Sequence, residues 1–180
     1  MKRNAIVAML AVALLGIVLL AYSNHFHNPF AFDDSHTIET NAAIRDLRNV
    51  PRFFVDATTG STQRSSDYRP VLTTLNAIDY ALAGGLNPFH FHRSVFISYL
   101  ILGLLLYLFY LRIGQLAADR PWLKLLALGA TGWFMLHTAN AETINYIIQR
   151  GDSFSTLMVV LGLVIYMYKP AWRRALSRCR

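Results

Sequence analysis

The chain is short of charge and almost without cysteine. Asp, Glu, Lys and Arg make up only 15% of its 180 residues, where soluble domains carry about 25%. Acids are the scarcer sign, 10 against 17 basic residues, for a formal net charge of +7. A single cysteine, Cys179, excludes an internal disulfide framework, and its place in a basic tail suits a reducing compartment. Prolines are few and none interrupts the long apolar runs, so nothing there breaks a helix. No internal repeat is visible. Hydrophobic residues supply 54% of the chain and the mean hydropathy is +0.35. That balance excludes an ordinary soluble domain and indicates an all-α membrane protein. The basic residues gather at the ends of apolar runs and not along one polar face. The partner they imply is a lipid bilayer, and no nucleic acid.

About four transmembrane helices are expected, with a long, partly helical outer loop after the first. The first covers 1–22 and contains "AIVAMLAVALLGIVLLAY" (Ala5 to Tyr22) behind Lys2 and Arg3. It is close to the roughly 20 residues a crossing needs and longer than the about 7–15 of a signal-peptide core. It reads as a retained anchor. The second, 91–113, is free of charge from Ser94 to Leu111. The third and fourth, 122–138 and 153–168, are short, and suit either full spans buried in a bundle or re-entrant segments. Between them lie an outer loop at 23–90, a cytoplasmic turn at 114–121, an outer loop at 139–152 and a basic tail at 169–180. Four crossings place Lys2, Arg3, Arg112, Arg120, Lys124 and the tail on one side. The positive-inside rule makes that side cytoplasmic. Both termini are then cytoplasmic in a membrane such as the bacterial inner membrane. All six histidines, and every acid but Asp119, fall in or beside the outer regions.

The outer loop is too long for a structureless connection. Asp34 or Ser35 can cap a helix running through Leu47, with Glu39 in its first turns, before Pro51 interrupts. Thr58–Asp67 reads as a loop. A second helix starts at Pro70, a favoured first-turn position, and Gly84 and Gly85 stop it. Val71, Leu75, Ile78 and Leu82 form one apolar stripe along it. The helix either lies on the outer membrane surface or packs by that stripe on a small extramembrane core.

Two acids stand side by side at Asp33 and Asp34. Like charges in contact raise each other's pKa, so the pair either sits in water or meets a cationic or protonatable group. "HFH" occurs twice, at His25–His27 and His90–His92, and in extended backbone such pairs share one side. With Asp33, Asp34 and His36 they could ligate zinc or manganese. No cysteine pair or helix-spaced histidine pair supports it, so no metal site is assigned. A loosely held divalent cation at Asp33/Asp34 is carried forward as the one cofactor option.

Four motifs in order then resemble a known family: "FAFDD" after the first span, "YRPV" (Tyr68–Val71) opening a helix, "GGLNPFHFH" (Gly84–His92) leading into the second span, and "LHTANAETINYIIQRGD" (Leu136–Asp152) after the third. The stretch from Asn28 to Tyr168 resembles the N-terminal part of the GT-C type membrane glycosyltransferases. It is most similar to the transmembrane, tetratricopeptide-repeat O-mannosyltransferase-like proteins and their bacterial relatives. Thr138 stands where the family usually has proline, and Val95 and Tyr99 where it often has Asn and His. The resemblance implies transfer of a sugar from a polyprenyl-phosphate carrier to an acceptor hydroxyl, on protein or glycan, at the outer membrane face. It implies Asp33 and Asp34 as the catalytic carboxylates. Arg69, beside Tyr68 at a helix start, and Arg150 would bind the lipid phosphate. His137 and Glu142 would line the far wall. Family members are much longer, so this reading expects an N-terminal module that works with further helices or membrane subunits. The competing reading is a non-catalytic four-span protein serving as partner or scaffold in an envelope complex. A transporter is disfavoured, because the spans carry almost no ionisable residues. Convergence of Asp33, Asp34, Arg69 and Glu142 on one cavity separates the first two readings.

Overall fold

A computed structural model describes residues 3–63, 68–118 and 120–169. The basic tail from residue 170, Lys2, Asp119 and the end of the Thr58–Asp67 loop lie outside the described residues. Among the described residues every regular element is helical. The seven α-helices are α1 (Arg3–Ala21), α2 (Val50–Phe53), α3 (Pro70–Ala83), α4 (Pro88–Ala117), α5 (Leu123–Leu136), α6 (Asn140–Asn145) and α7 (Arg150–Tyr168). The chain divides into two compact units. One comprises residues 1–23, 98–140 and 153–180, the other 24–97 and 141–152.

In the first unit the long helices are apolar on nearly every side, as backbone that must satisfy its own hydrogen bonds in hydrocarbon requires. Three helical stretches are long and apolar enough to cross a membrane: α1 with 19 residues, α4 with 30, and the 22 residues Ile147–Tyr168 that end in α7. This is an all-α integral membrane protein. The expected third span differs. α5 has 14 residues, about 21 Å of helix against a hydrocarbon core of about 30 Å. It runs alongside α1, with Lys124 Nζ donating to Asn4 Oδ1 at 3.0 Å near one end and Tyr22 Oη donating to the Met135 carbonyl at 3.4 Å near the other. Glycine permits the close approaches. A Cβ at Gly132 would lie 3.1 Å from Leu14 Cδ1, and one at Gly103 would run into Met135. α4 and α7 are tied where α7 ends. Arg112 Nε donates to the Met167 carbonyl at 3.4 Å, its guanidinium lies over the Tyr168 ring, and Tyr168 Oη donates to the Leu108 carbonyl.

The second unit holds a small core of Ile38, Ile44, Phe53, Ala77, Phe91, Val95 and Ile147. The single helix expected from Asp34 to Leu47 is instead a string of short turns. Ser35–Glu39 is one π turn, and Ala42–Arg45 and Leu47–Asn49 are 3-10 turns. Side chains explain the break. Thr37 Oγ1 donates to the Asp33 carbonyl and Thr40 Oγ1 to the Ser35 carbonyl. Asn41 donates to the carbonyls of Thr37 and Thr59 and accepts from the Ala43 amide. Such local bonds offer the backbone an alternative to a continuous helix. Asp34 stands at the N-cap of the π turn but its side chain makes no capping bond.

The helix expected from Pro70 is present as α3, but its faces are the reverse of the core-packing option. Leu72, Thr73, Asn76, Ala77 and Asp79 are buried, while Val71, Ile78 and Leu82 are exposed. Three of the four residues of the apolar stripe therefore point away from the core while Leu75 is half-buried, and the inward side is mostly small or polar. Gly84 ends α3 in the left-handed region at φ +67°, where its amide and that of Gly85 bond back to Ala81 and Tyr80. An L side chain is strained there. Gly84→Ala is expected to lower stability by about 1 kcal/mol, and Gly84→Asn by less. Denaturant unfolding of the detergent-solubilised protein measures both.

Candidate functional site

The "FAFDD" stretch is held as a rigid turn in the second unit. Phe32 adopts φ +46°, the one positive φ at a described residue other than glycine, and a bulky residue occupies that region only where its surroundings enforce it. The enforcing contacts are specific. The Phe30 ring packs edge-on to Phe91 and the Phe32 ring edge-on to Tyr146. The Asp33 amide donates to Tyr146 Oη at 2.8 Å. Asp34, only 1% exposed, accepts from the Ala31 amide at 3.1 Å with one carboxylate oxygen and from the Ile148 amide at 3.0 Å with the other. Burial pushes the Asp34 carboxyl up to about 6, against the opposing pull of those two amides.

The two aspartates therefore do different things. Asp34 is turned inward and spends both oxygens on backbone. Asp33 is turned outward, its side chain 65% exposed, with one oxygen 3.4 Å from His36 Nε2. The other ring nitrogen of His36 lies 2.8 Å from Ser61 Oγ. Asp33, His36 and Ser61 line a polar cavity of about 230 Å³ together with Arg69, Thr73 and Asn76. Arg69 immediately precedes Pro70, the first residue of α3, so the N-terminal end of that helix borders the same cavity. Ile148, whose amide binds Asp34, is also on its wall. The arrangement supplies a carboxylate, an imidazole, a guanidinium and several hydroxyl and amide groups around a space the size of a small polar ligand. The Asp33 and Asp34 carboxylates diverge, and no group of three or more His, Cys, Asp or Glu converges among the described residues. The two "HFH" motifs lie in a 3-10 turn and a helix, not in the extended backbone that would align them. What they share is a contact between His25 and His92, rings 4.5 Å apart, with His25 Nε2 donating to the His92 carbonyl at 2.8 Å.

The other expected site residues are placed differently. Arg150 is 3% exposed and is ion-paired with Asp79 of α3, and its Nη2 also donates to Ser94 Oγ of α4 at 3.2 Å. It is absent from the cavity wall, so it ties elements together where phosphate binding was expected. Burial raises the Asp79 carboxyl above its usual range while Arg150 opposes the rise. Tyr68 is exposed, does not line the cavity, and donates to the Phe54 carbonyl at 2.7 Å. Glu142 is exposed in the first turn of α6 and lies outside the cavity wall. His137 belongs to the first unit, where it caps α5 beside Trp133. The motif reading thus brings Asp33 and Arg69 to one cavity, with Asp34 behind it. It misses Asp79, the only acid of α3 and for that reason a candidate for a buried partner. It also misses the link from His36 to Ser61.

Comparison with known proteins finds a distant similarity to protein O-mannosyl-transferases. The chain is 28% identical over 167 residues to the protein O-mannosyl-transferase TMTC2 of Mus musculus, covering 89% of this chain and 18% of that one. It is 27% identical over 166 residues to the Homo sapiens protein of the same name. It is also 28% identical over 170 residues to the protein O-mannosyl-transferase TMTC4 of Mus musculus, covering 87% of this chain and 22% of that one. The chain thus spans about a fifth of the length of these relatives. No family model and no solved structure matches it.

Two outcomes follow from the geometry. Arg150→Met alone leaves the Asp79 carboxylate buried without its cation and is expected to cost about 3–5 kcal/mol. Asp79→Leu combined with Arg150→Met is expected to cost much less than either change alone, which a double-mutant cycle on unfolding free energies reads directly. Asp34 gives a pH signature. Its folded value of about 6 lies above the ordinary carboxylate range, so the folded state holds the proton more tightly. The stability contributed by this group is full below about pH 4 and is lost as pH rises to about 6, on the order of 2 kcal/mol. Unfolding midpoints of the parent between pH 4 and 7 should fall accordingly, and Asp34→Asn should flatten that slope.

Proposed function

We propose that the chain is part of a membrane glycosyltransferase that moves a sugar from a polyprenyl-phosphate carrier to an acceptor hydroxyl at the outer membrane face. The observation that carries this reading is the polar cavity that joins the outward carboxylate of Asp33 to the guanidinium of Arg69. The similarity to protein O-mannosyl-transferases supports it independently. Asp33 takes the proton of the acceptor hydroxyl as that oxygen forms its bond to the anomeric carbon. The bond from the anomeric carbon to the phosphate oxygen breaks at the same time, and its electron pair leaves with the lipid phosphate. Arg69 and the N-terminal end of α3 meet that growing negative charge. His36, on the far side of Asp33 from the reacting oxygen, holds the carboxylate in place. Asp34 fixes the turn that aims Asp33. The acceptor is a protein or glycan hydroxyl that reaches the membrane surface, where a lipid-borne sugar must remain.

The test is transfer of labelled sugar from a polyprenyl-phosphate donor by membranes containing the protein. Asp33→Asn is expected to lower kcat by about 100-fold or more with little change in KM. Arg69→Gln is expected to raise KM for the donor and to lower kcat. Transfer by Asp33→Asn at the parent rate, or no transfer by the parent chain with its natural membrane partners, overturns the assignment.

A further inference from the structure

The polar cavity of the second unit keeps one buried group that the fold leaves unpaired. Arg69, Thr73 and Asn76 stand on its wall at i, i+4 and i+7, so one face lines the cavity for about two helical turns. Arg69, just before α3, is exposed. Thr73 and Asn76, within α3, are 5% and 3% exposed. The wall thus runs from a cation near water to an amide in the interior.

Most polar side chains of that wall are already engaged. Thr37 Oγ1 donates to the Asp33 carbonyl and Thr73 Oγ1 to the Arg69 carbonyl. Ser61 Oγ bonds His36 Nδ1 and accepts from the Gln63 amide, while His36 Nε2 faces the Asp33 carboxylate. Asn76 Oδ1 differs. It is buried and accepts no hydrogen bond, and among the described residues no other buried side-chain nitrogen or oxygen of this wall is in that state. An acceptor left so carries its full desolvation penalty, and folded proteins leave few such groups without a role. A proton donated by a ligand in the cavity would satisfy it.

We infer that Asn76 Oδ1 accepts a hydrogen bond from a hydroxyl of the transferred sugar and so selects that sugar, an inference that rests on the proposed transferase reading. The carbonyl oxygen of an amide has lone pairs and no proton. A phosphodiester is ionised at neutral pH and also has none, so the phosphate of the donor has nothing to offer Asn76. A sugar hydroxyl has a proton to give. Leu72 and Ile148 on the same wall present apolar surface to the C–H faces of a sugar ring. Asn76 is therefore a specificity-determining residue. Its part is to hold the ring, while Asp33 and Arg69 serve the bond that breaks.

Calorimetric titration of the detergent-solubilised chain tests this without requiring turnover. The probes are farnesyl methyl phosphate and the farnesyl phosphate diesters of mannose, glucose and galactose, all of one charge and differing in the ring. The parent is expected to bind one or more of the sugar diesters about tenfold more tightly than the methyl diester, as one hydrogen bond to a buried, otherwise unpaired acceptor supplies. Asn76→Ala should reduce that margin to about twofold or less and leave the affinity for the methyl diester unchanged. The unliganded variant should unfold at the denaturant midpoint of the parent or above it, since it loses no hydrogen bond at Oδ1. Loss of binding is thereby kept apart from loss of fold. Equal binding of all the diesters by the parent, an undiminished margin in Asn76→Ala, or a lower midpoint of the unliganded variant overturns the inference and leaves the transferase reading standing. Failure of the parent to bind any of the diesters overturns both.

Discussion

The second unit depends on one buried ion pair. Asp79 comes from the inward face of α3 and Arg150 from the first residue of α7, and Ser94 of α4 bonds to both. Two consecutive helices, α3 and α4, and α7, whose Arg150 lies 71 residues after Asp79, therefore meet at one carboxylate. Two charges out of water are expensive, and they are tolerated only when geometry and further hydrogen bonds satisfy them. Buried ion pairs commonly add little net stability over an apolar replacement. What this pair supplies is placement, because each partner alone is intolerable in that environment. Arg150 fixed by Asp79 also fixes the preceding turn Ile147–Gln149, and the amide of Ile148 in that turn is what Asp34 receives. The position of the acidic turn is thus inherited from a salt bridge that does not touch the cavity.

That inheritance explains why two adjacent acids can have opposite environments. In a turn with Phe32 at positive φ, successive side chains diverge, and one carboxylate goes into the fold while the next reaches water. Asp34 meets two amide donors, which favour its charged form, and burial, which disfavours it more strongly. Asp33 has the cavity, His36 and Arg69 across from it. The proposed transfer needs a proton acceptor exposed to its substrate on a backbone held in place, and the two neighbouring residues have those two environments.

Much of the fold was legible in the sequence. α1 and α4 are long apolar runs without a breaker, and length alone identifies them. α3 was legible at both ends, because proline at a first turn and glycine in the left-handed region have local physical causes. The short turns after Asp34 were not, since they arise from hydroxyl and amide side chains choosing backbone partners over solvent, a choice that composition does not fix. α5 was overextended for a related reason. An apolar run gives the reach of a segment, whereas the helix ends where its capping residues, Trp122 and His137, leave helical hydrogen bonding. At the candidate site the motifs pointed to Asp33 and Arg69 but could not rank the two acids. Their roles are set by Ile148, more than a hundred residues away. Arg150 was misplaced by the same blindness, because its partner Asp79 lies 71 residues earlier.

α3 carries the last step. An amphipathic helix on a water-soluble core turns its apolar stripe inward, and here Val71, Ile78 and Leu82 are turned outward while Asp79, Asn76 and Thr73 face the fold. In water that inversion would waste apolar burial and charge the core with polar groups at once. It becomes favourable when the outward face meets an apolar medium, as interfacial helices do. The polar inward face is then free to serve the cavity: Thr73 and Asn76 line it, and Asp79 anchors Arg150 behind it. The same inversion that looks like poor packing is therefore what lets one helix present apolar side chains outward and line a polar cavity with its inward side.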